Sequence, residues 1–78
     1  MVEVVEDWNA LVEHSRYCRN VIYRIDKTAS GFRLRVRVGR FGWDKELSAK
    51  ELEEKEAYLR QVGAVKVVES VPDELFFA

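Results

Sequence analysis

The sequence predicts an α+β fold, a four-stranded antiparallel sheet with two helices on one face. Three observations predict it. Between Val21 and Val38, apolar residues recur at every second position in two runs separated by the small, turn-prone Thr28-Ala29-Ser30-Gly31; this is the pattern of two half-buried strands joined as a hairpin. Ser48 and Glu51 stand at capping-box spacing ahead of the stripe Ala49, Leu52, Tyr58, Leu59 and Val62, which marks a helix that Gly63 closes. Asp7 is a suitable N-cap for a shorter helix with Trp8, Leu11, Val12 and Ser15 on its buried face, ending before Arg19.

The remaining segments are taken in chain order. Val2 to Val5 alternates apolar and acidic residues and suits a short strand, while Val2, Val5, Trp8 and Val12 also fall near helical spacing, so both readings stand there. In the first hairpin strand Val21, Tyr23 and Ile25 point one way and Asn20, Ile22, Arg24 and Asp26 the other. In the second, Phe32, Leu34, Val36 and Val38 alternate with Arg33, Arg35 and Arg37. Gly39-Arg40-Phe41-Gly42 marks another tight turn, and Trp43 to Leu47 reads as a short third strand or an ordered loop. Val65, Val67 and Val68 begin a last strand that Pro72 ends or breaks. With a strand at Val2 to Val5 the order is βαββαβ, which the ferredoxin-like fold satisfies. With that segment in the first helix and Trp43 to Leu47 as a strand, the order becomes αβββα with an added C-terminal strand.

A length of 78 residues leaves room for one domain, residues 1–78, with a core near the lower limit for folding without disulfides or metal. Because 47% of the residues are hydrophobic and 35% charged, the chain is expected to bury a core and not to remain disordered. Cys18 is the only cysteine, so no intrachain disulfide and no zinc site of the usual cysteine type is expected. That usage fits a reducing cytoplasm. The acidic start and the lack of an apolar run of about 20 residues predict neither a secretory signal nor a membrane helix. No cofactor or metal site is predicted.

The net charge of −1 conceals a strong asymmetry. Residues 16–45 hold nine basic groups (Arg16, Arg19, Arg24, Lys27, Arg33, Arg35, Arg37, Arg40 and Lys45) against Asp26 and Asp44, a net +7, and each flank carries −4. On a strand, Arg33, Arg35 and Arg37 project from one face with Arg24 on the neighbouring strand, a row suited to tracking phosphates. Arg40 and Lys45 extend the row, and Phe41 and Trp43 follow in a glycine-flanked turn where an aromatic ring can stack on an unpaired base. The expected function is therefore a noncatalytic module for RNA or single-stranded nucleic acid, with Arg24, Arg33, Arg35, Arg37, Arg40, Phe41, Trp43 and Lys45 as its contact residues. Taken individually, Phe41 and Trp43 are better candidates for capping the core than for stacking on bases, on aromatic burial habits.

The segment Ser30-Gly31-Phe32-Arg33-Leu34-Arg35-Val36-Arg37 resembles the longer consensus of RNA-recognition motifs, with Leu34 and Arg37 standing where base-stacking aromatics are expected. The αβββα order resembles that of double-stranded-RNA-binding domains, whose lysine-rich helix start is here replaced by Ala49-Lys50-Glu51-Leu52-Glu53-Glu54. An acidic helix start repels phosphate.

His14 and Cys18, four residues apart, can bring an imidazole near a thiol on one helical face, but no phosphate loop, second histidine or paired acid–base spacing accompanies them, and no enzyme is expected. The apolar tail Leu75, Phe76 and Phe77 either closes the domain's own core or inserts into a groove on another chain. Partner docking or self-association through the sheet face and this tail is the alternative to nucleic-acid binding. The abundance of Glu, Arg, Lys and Val with few Asn, Gln and Met is a composition found in many proteins from hot environments. A melting temperature above roughly 70 °C is expected by calorimetry, and a value in the mesophile range of about 45–65 °C would remove that reading.

Overall fold

Seven elements follow the local sequence signals: β1 (Glu3–Val4), α1 (Trp8–Ser15), β2 (Val21–Lys27), β3 (Phe32–Val38), β4 (Phe41–Leu47), α2 (Ala49–Gln61) and β5 (Val65–Lys66). They are taken from a computed structural model that describes residues 2–18, 20–68 and 76–77. Asp7 caps α1, accepting from the Asn9 N–H at 3.2 Å. Both halves of the capping box form at α2, where Ser48 Oγ accepts from the Glu51 N–H and the Glu51 carboxylate from the Ser48 N–H. That second bond, followed by the Ser48 hydroxyl, holds the Glu51 carboxyl below its ordinary pKa. Gly63 ends the helix in the left-handed region at φ 79°, as expected of a glycine at that position.

The sheet has five strands in the order β1-β4-β3-β2-β5. This corrects the expectation of four antiparallel strands. The centre is the antiparallel meander β2-β3-β4, but β1 runs parallel to β4 at one edge and β5 parallel to β2 at the other. The difference originates at residues 41–47, which pair with β3 from Phe41 opposite Val38 to Leu47 opposite Phe32. Only Gly39 and Arg40 separate the two strands, and Gly39 takes φ 57°, so the turn is a two-residue hairpin with glycine leading. With β4 beside β3, α2 must cross the sheet to bring the chain to the free edge of β2, where β5 pairs parallel. The run α1-β2-β3-β4-α2-β5 thus has the order of the alternative reading, with β1 added. The proposed end of the last strand at Pro72 lies outside the described residues.

Both helices pack on the face carrying Tyr23, Val36 and Trp43. Leu11 from α1 and Leu52 and Leu59 from α2 join Val21, Tyr23, Leu34, Val36, Val38, Trp43 and Leu47 in one buried cluster. Each fully buried side chain of this size contributes roughly 1.5–3 kcal/mol. Trp8 meets Trp43 of β4 edge-on at 4.9 Å and Tyr58 of α2 at 6.0 Å, and Ser15 Oγ shares a 2.6 Å hydrogen bond with the Tyr58 hydroxyl; these contacts join α1 to the sheet and to α2. No helix among the described residues is long and apolar enough to cross a membrane.

Glu56 ties α2 to the β2–β5 edge. Its carboxylate accepts from the Tyr23 hydroxyl at 3.0 Å and lies 3.4 Å from Lys66 Nζ on β5 and 3.4 Å from Arg60. Burial pushes the Glu56 pKa up, but the Tyr23 hydroxyl, Lys66 and Arg60 outweigh it and hold the carboxyl below its ordinary value. Burial first, then the Glu56 contact, raises Tyr23. A carboxyl depressed on folding contributes stability that is present above the unfolded value, about 4.3, and is lost as pH falls through the lower folded value. Glu56→Gln should therefore cost about 0.5–1.5 kcal/mol at pH 7 and flatten the acid limb of stability against pH, measured by urea denaturation. An unchanged limb would show that Glu56 does not carry this tie.

Candidate nucleic-acid interface

Side chains alternate across a strand, so with Leu34, Val36 and Val38 in the core, Arg33, Arg35 and Arg37 stand on the opposite face. The register sets Arg24 across from Arg35 and Asp26 across from Arg33 on β2, and Asp44 across from Arg35 and Glu46 across from Arg33 on β4. The two acids of the basic segment therefore flank the arginine row on its own face. Arg24 pairs with Asp26 at 3.0 Å, and Arg35 bonds the other oxygen of Asp26. Arg33 pairs with Asp44, with Nη2 donating to one oxygen at 2.9 Å and Nε 2.7 Å from the other. Arg35 reaches Asp44 as well, at 3.9 Å. Only 15% of the Arg24 side chain and 13% of the Arg35 side chain is exposed. This part of the face is an ion-pair lattice across three strands, and beside it the Ser30 hydroxyl bonds the Glu46 carboxylate.

Arg37, at the end of the same row, has different surroundings. Its cross-strand neighbours are Ile22 and Gly42, neither of which carries charge. Its guanidinium donates to two backbone carbonyls, Gly39 at 2.9 Å and Phe76 at 3.3 Å. With Asn20, Ile22, Gly39 and the exposed Arg40, it lines an open cavity of about 400 Å³. Neither Arg37 nor Arg40 has a carboxylate partner among the described residues. On the helix side of the turn a second cavity, about 240 Å³, shares Gly39 and Arg40 and is bordered by His14, Tyr17, Cys18 and Phe41.

The aromatic candidates are already engaged. Trp43 is 2% exposed, inside the core. Phe41 stacks on His14 with centroids 3.7 Å apart and planes 11° apart, and the Arg40 guanidinium lies over the same ring at 5.4 Å. Phe41 thus positions Arg40 and the end of α1. Lys45 is exposed but projects from the helix side of β4, opposite Leu34. The eight candidates separate into three groups: Arg24, Arg33 and Arg35 in the lattice; Arg37, Arg40 and Phe41 at the β3–β4 turn; Trp43 and Lys45 on the other face. Of the apolar tail, Leu75 lies outside the described residues. Phe76 is 3% exposed, and Phe77, edge-on to it at 5.0 Å, accepts from the Val2 N–H.

Sequence reasoning did not single out Asn20 or Tyr17. Asn20 sits just before β2, where alternation places it on the arginine face. Tyr17, just past α1, is 86% exposed, and the only local signal for it was an aromatic beyond the last apolar position of the helical stripe. Scanned against models of known protein families the chain matches none, and no curated protein matches it.

Asp44→Asn removes the carboxylate charge that Arg33 and Arg35 share. A loss of about 1–3 kcal/mol in urea denaturation is expected, less than the 3–5 kcal/mol of a fully buried pair because Asp44 is partly exposed. Arg40→Gln, at an exposed turn, should stay within about 0.5 kcal/mol of the parent. Equal effects of the two substitutions would dismiss the lattice as a structural device.

Proposed function

We propose that the domain is a noncatalytic module that binds single-stranded nucleic acid, RNA in the first instance, through phosphate at the β3–β4 turn. The observation that carries this reading is the convergence of Arg37, Arg40 and Asn20 on one cavity with no carboxylate partner for either arginine among the described residues. A guanidinium has five donors in a fixed fork. Arg37 spends two of its bonds on carbonyls that orient it, and the exposed Arg40 stands beside it over the Phe41 ring. In this reading Arg24, Arg33 and Arg35 are structural, since each already has a protein partner. Contacts to phosphate carry no base information, so little sequence preference is expected. The His14 imidazole stacks on Phe41, and the Cys18 thiol lies 3.8 Å from the Asn20 carbonyl.

A specific observation favours one other reading, a protein partner at the opposite sheet edge. Val62, Val65 and Val68 are all exposed around the end of α2 and β5, and an exposed edge strand can accept another strand.

Titration of a fluorescent single-stranded RNA across salt concentrations tests the proposal. Binding by the turn site should fall with a slope of about −0.7 to −1.4 in log K against log salt, the values for one and two phosphates, whereas a row of six would give about −4. Arg40→Gln should weaken binding at least tenfold, and Lys45→Gln should leave it unchanged. No binding even at low salt would pass the assignment to the protein partner.

A further inference from the structure

We infer that the β3–β4 turn captures the phosphorylated end of a strand, holding one phosphate monoester between Arg37, Arg40 and Asn20 and the terminal base on Tyr17. This rests on the proposed function and narrows it. Three observations lead to it. First, among the described residues the basic site does not continue along β3: one step inward the face becomes the lattice containing Asp26 and Asp44, so a second phosphate moving along the sheet would meet carboxylates. Second, the cavity of about 400 Å³ lies near the small end of the roughly 300–1,000 Å³ range of ligand pockets, which suits a single esterified phosphate with its sugar. A monoester has more negative charge and more acceptor oxygens than the bridging diester it would compete with, as pairs of guanidinium forks favour.

Third, the two cavities meet at Gly39 and Arg40. A nucleotide with its phosphate in the first has its base at the second, where Tyr17, 86% exposed, offers the ring that Trp43 and Phe41 do not. Gly39 makes the turn between the cavities in the left-handed region, at φ 57°. A Cβ there would also come within 3.0 Å of Cys18 Sγ, so the close approach of the turn to the end of α1 depends on this glycine.

The test uses the full chain and four probes in one competition assay against a labelled 5′-phosphorylated oligoribonucleotide: the same sequence with a 5′-phosphate, with a 3′-phosphate, with hydroxyls at both ends, and adenosine 5′-monophosphate alone. At least one phosphorylated end should compete about tenfold better than the hydroxyl form. Arg40→Gln should erase that difference. Tyr17→Ala should weaken the phosphorylated strand roughly tenfold, within the range for one base on one aromatic ring, and Tyr17→Phe should not. Because Arg40 and Tyr17 are exposed, unchanged denaturation midpoints would confirm that both variants fold. Equal competition by phosphorylated and hydroxyl ends overturns the end-capture inference and leaves the proposed function standing. Competition by the mononucleotide as strong as by the phosphorylated strand overturns the assignment to strands in favour of small phosphate esters. Failure of the labelled strand to bind at low salt overturns the inference and the proposed function together.

Discussion

Strand β3 lies at the centre of the five-stranded sheet, and its pleat sends Leu34, Val36 and Val38 to one face and Arg33, Arg35 and Arg37 to the other. The three apolar side chains are at most 1% exposed and receive both helices. A shift of register by one residue would put three guanidinium groups into that core and three aliphatic side chains outside it. The penalty is large enough to hold β2 and β4 in place on either side, and the positions of the helices, the edge strands and the cavities follow from that placement.

An arginine row on a strand repels itself, and the directly opposed Arg24 and Arg35 add a like-charge pair. The sheet accommodates this with Asp26 and Asp44 on the flanking strands, each serving more than one guanidinium. Partly buried ion pairs of this kind add little net stability compared with an apolar face, because desolvation offsets most of the attraction. They do specify register, since a slip would separate every cross-strand pair. The lattice is therefore read as a device for strand alignment that leaves little free charge over the middle of the sheet.

Where the lattice ends, the chemistry changes. Gly42 faces Arg37 with no side chain to pair with, and Gly39 turns the chain so that Arg40 emerges beside it. Gly42 is also tightly packed: a Cβ there would lie 2.5 Å from Val2 Cγ1 and 2.8 Å from Phe77 Cδ1. The two glycines thus have distinct roles, one admitting the termini onto the sheet and the other shaping the turn. The carbonyl of Phe76, brought there by the same packing, helps aim Arg37.

Local signals in the sequence determined both helices, their caps at Asp7 and Ser48, the first hairpin and the face on which Arg24, Arg33, Arg35 and Arg37 stand, because helix periodicity, capping and strand alternation are properties of short segments. They also located the charge asymmetry that points to the β3–β4 region. Only the tertiary structure decided that residues 41–47 form a full strand, that both edges pair parallel, and that Trp43 is buried while Tyr17 is not. It alone showed that Arg24, Arg33 and Arg35 are engaged by acids on neighbouring strands, whereas Arg37 and Arg40 border a cavity with Asn20. The reason is that charge compensation and burial depend on which residues the register sets side by side, and Asp26 and Asp44 lie nine residues from Arg35, one on each side of it in the chain, but meet it only when the strands pair.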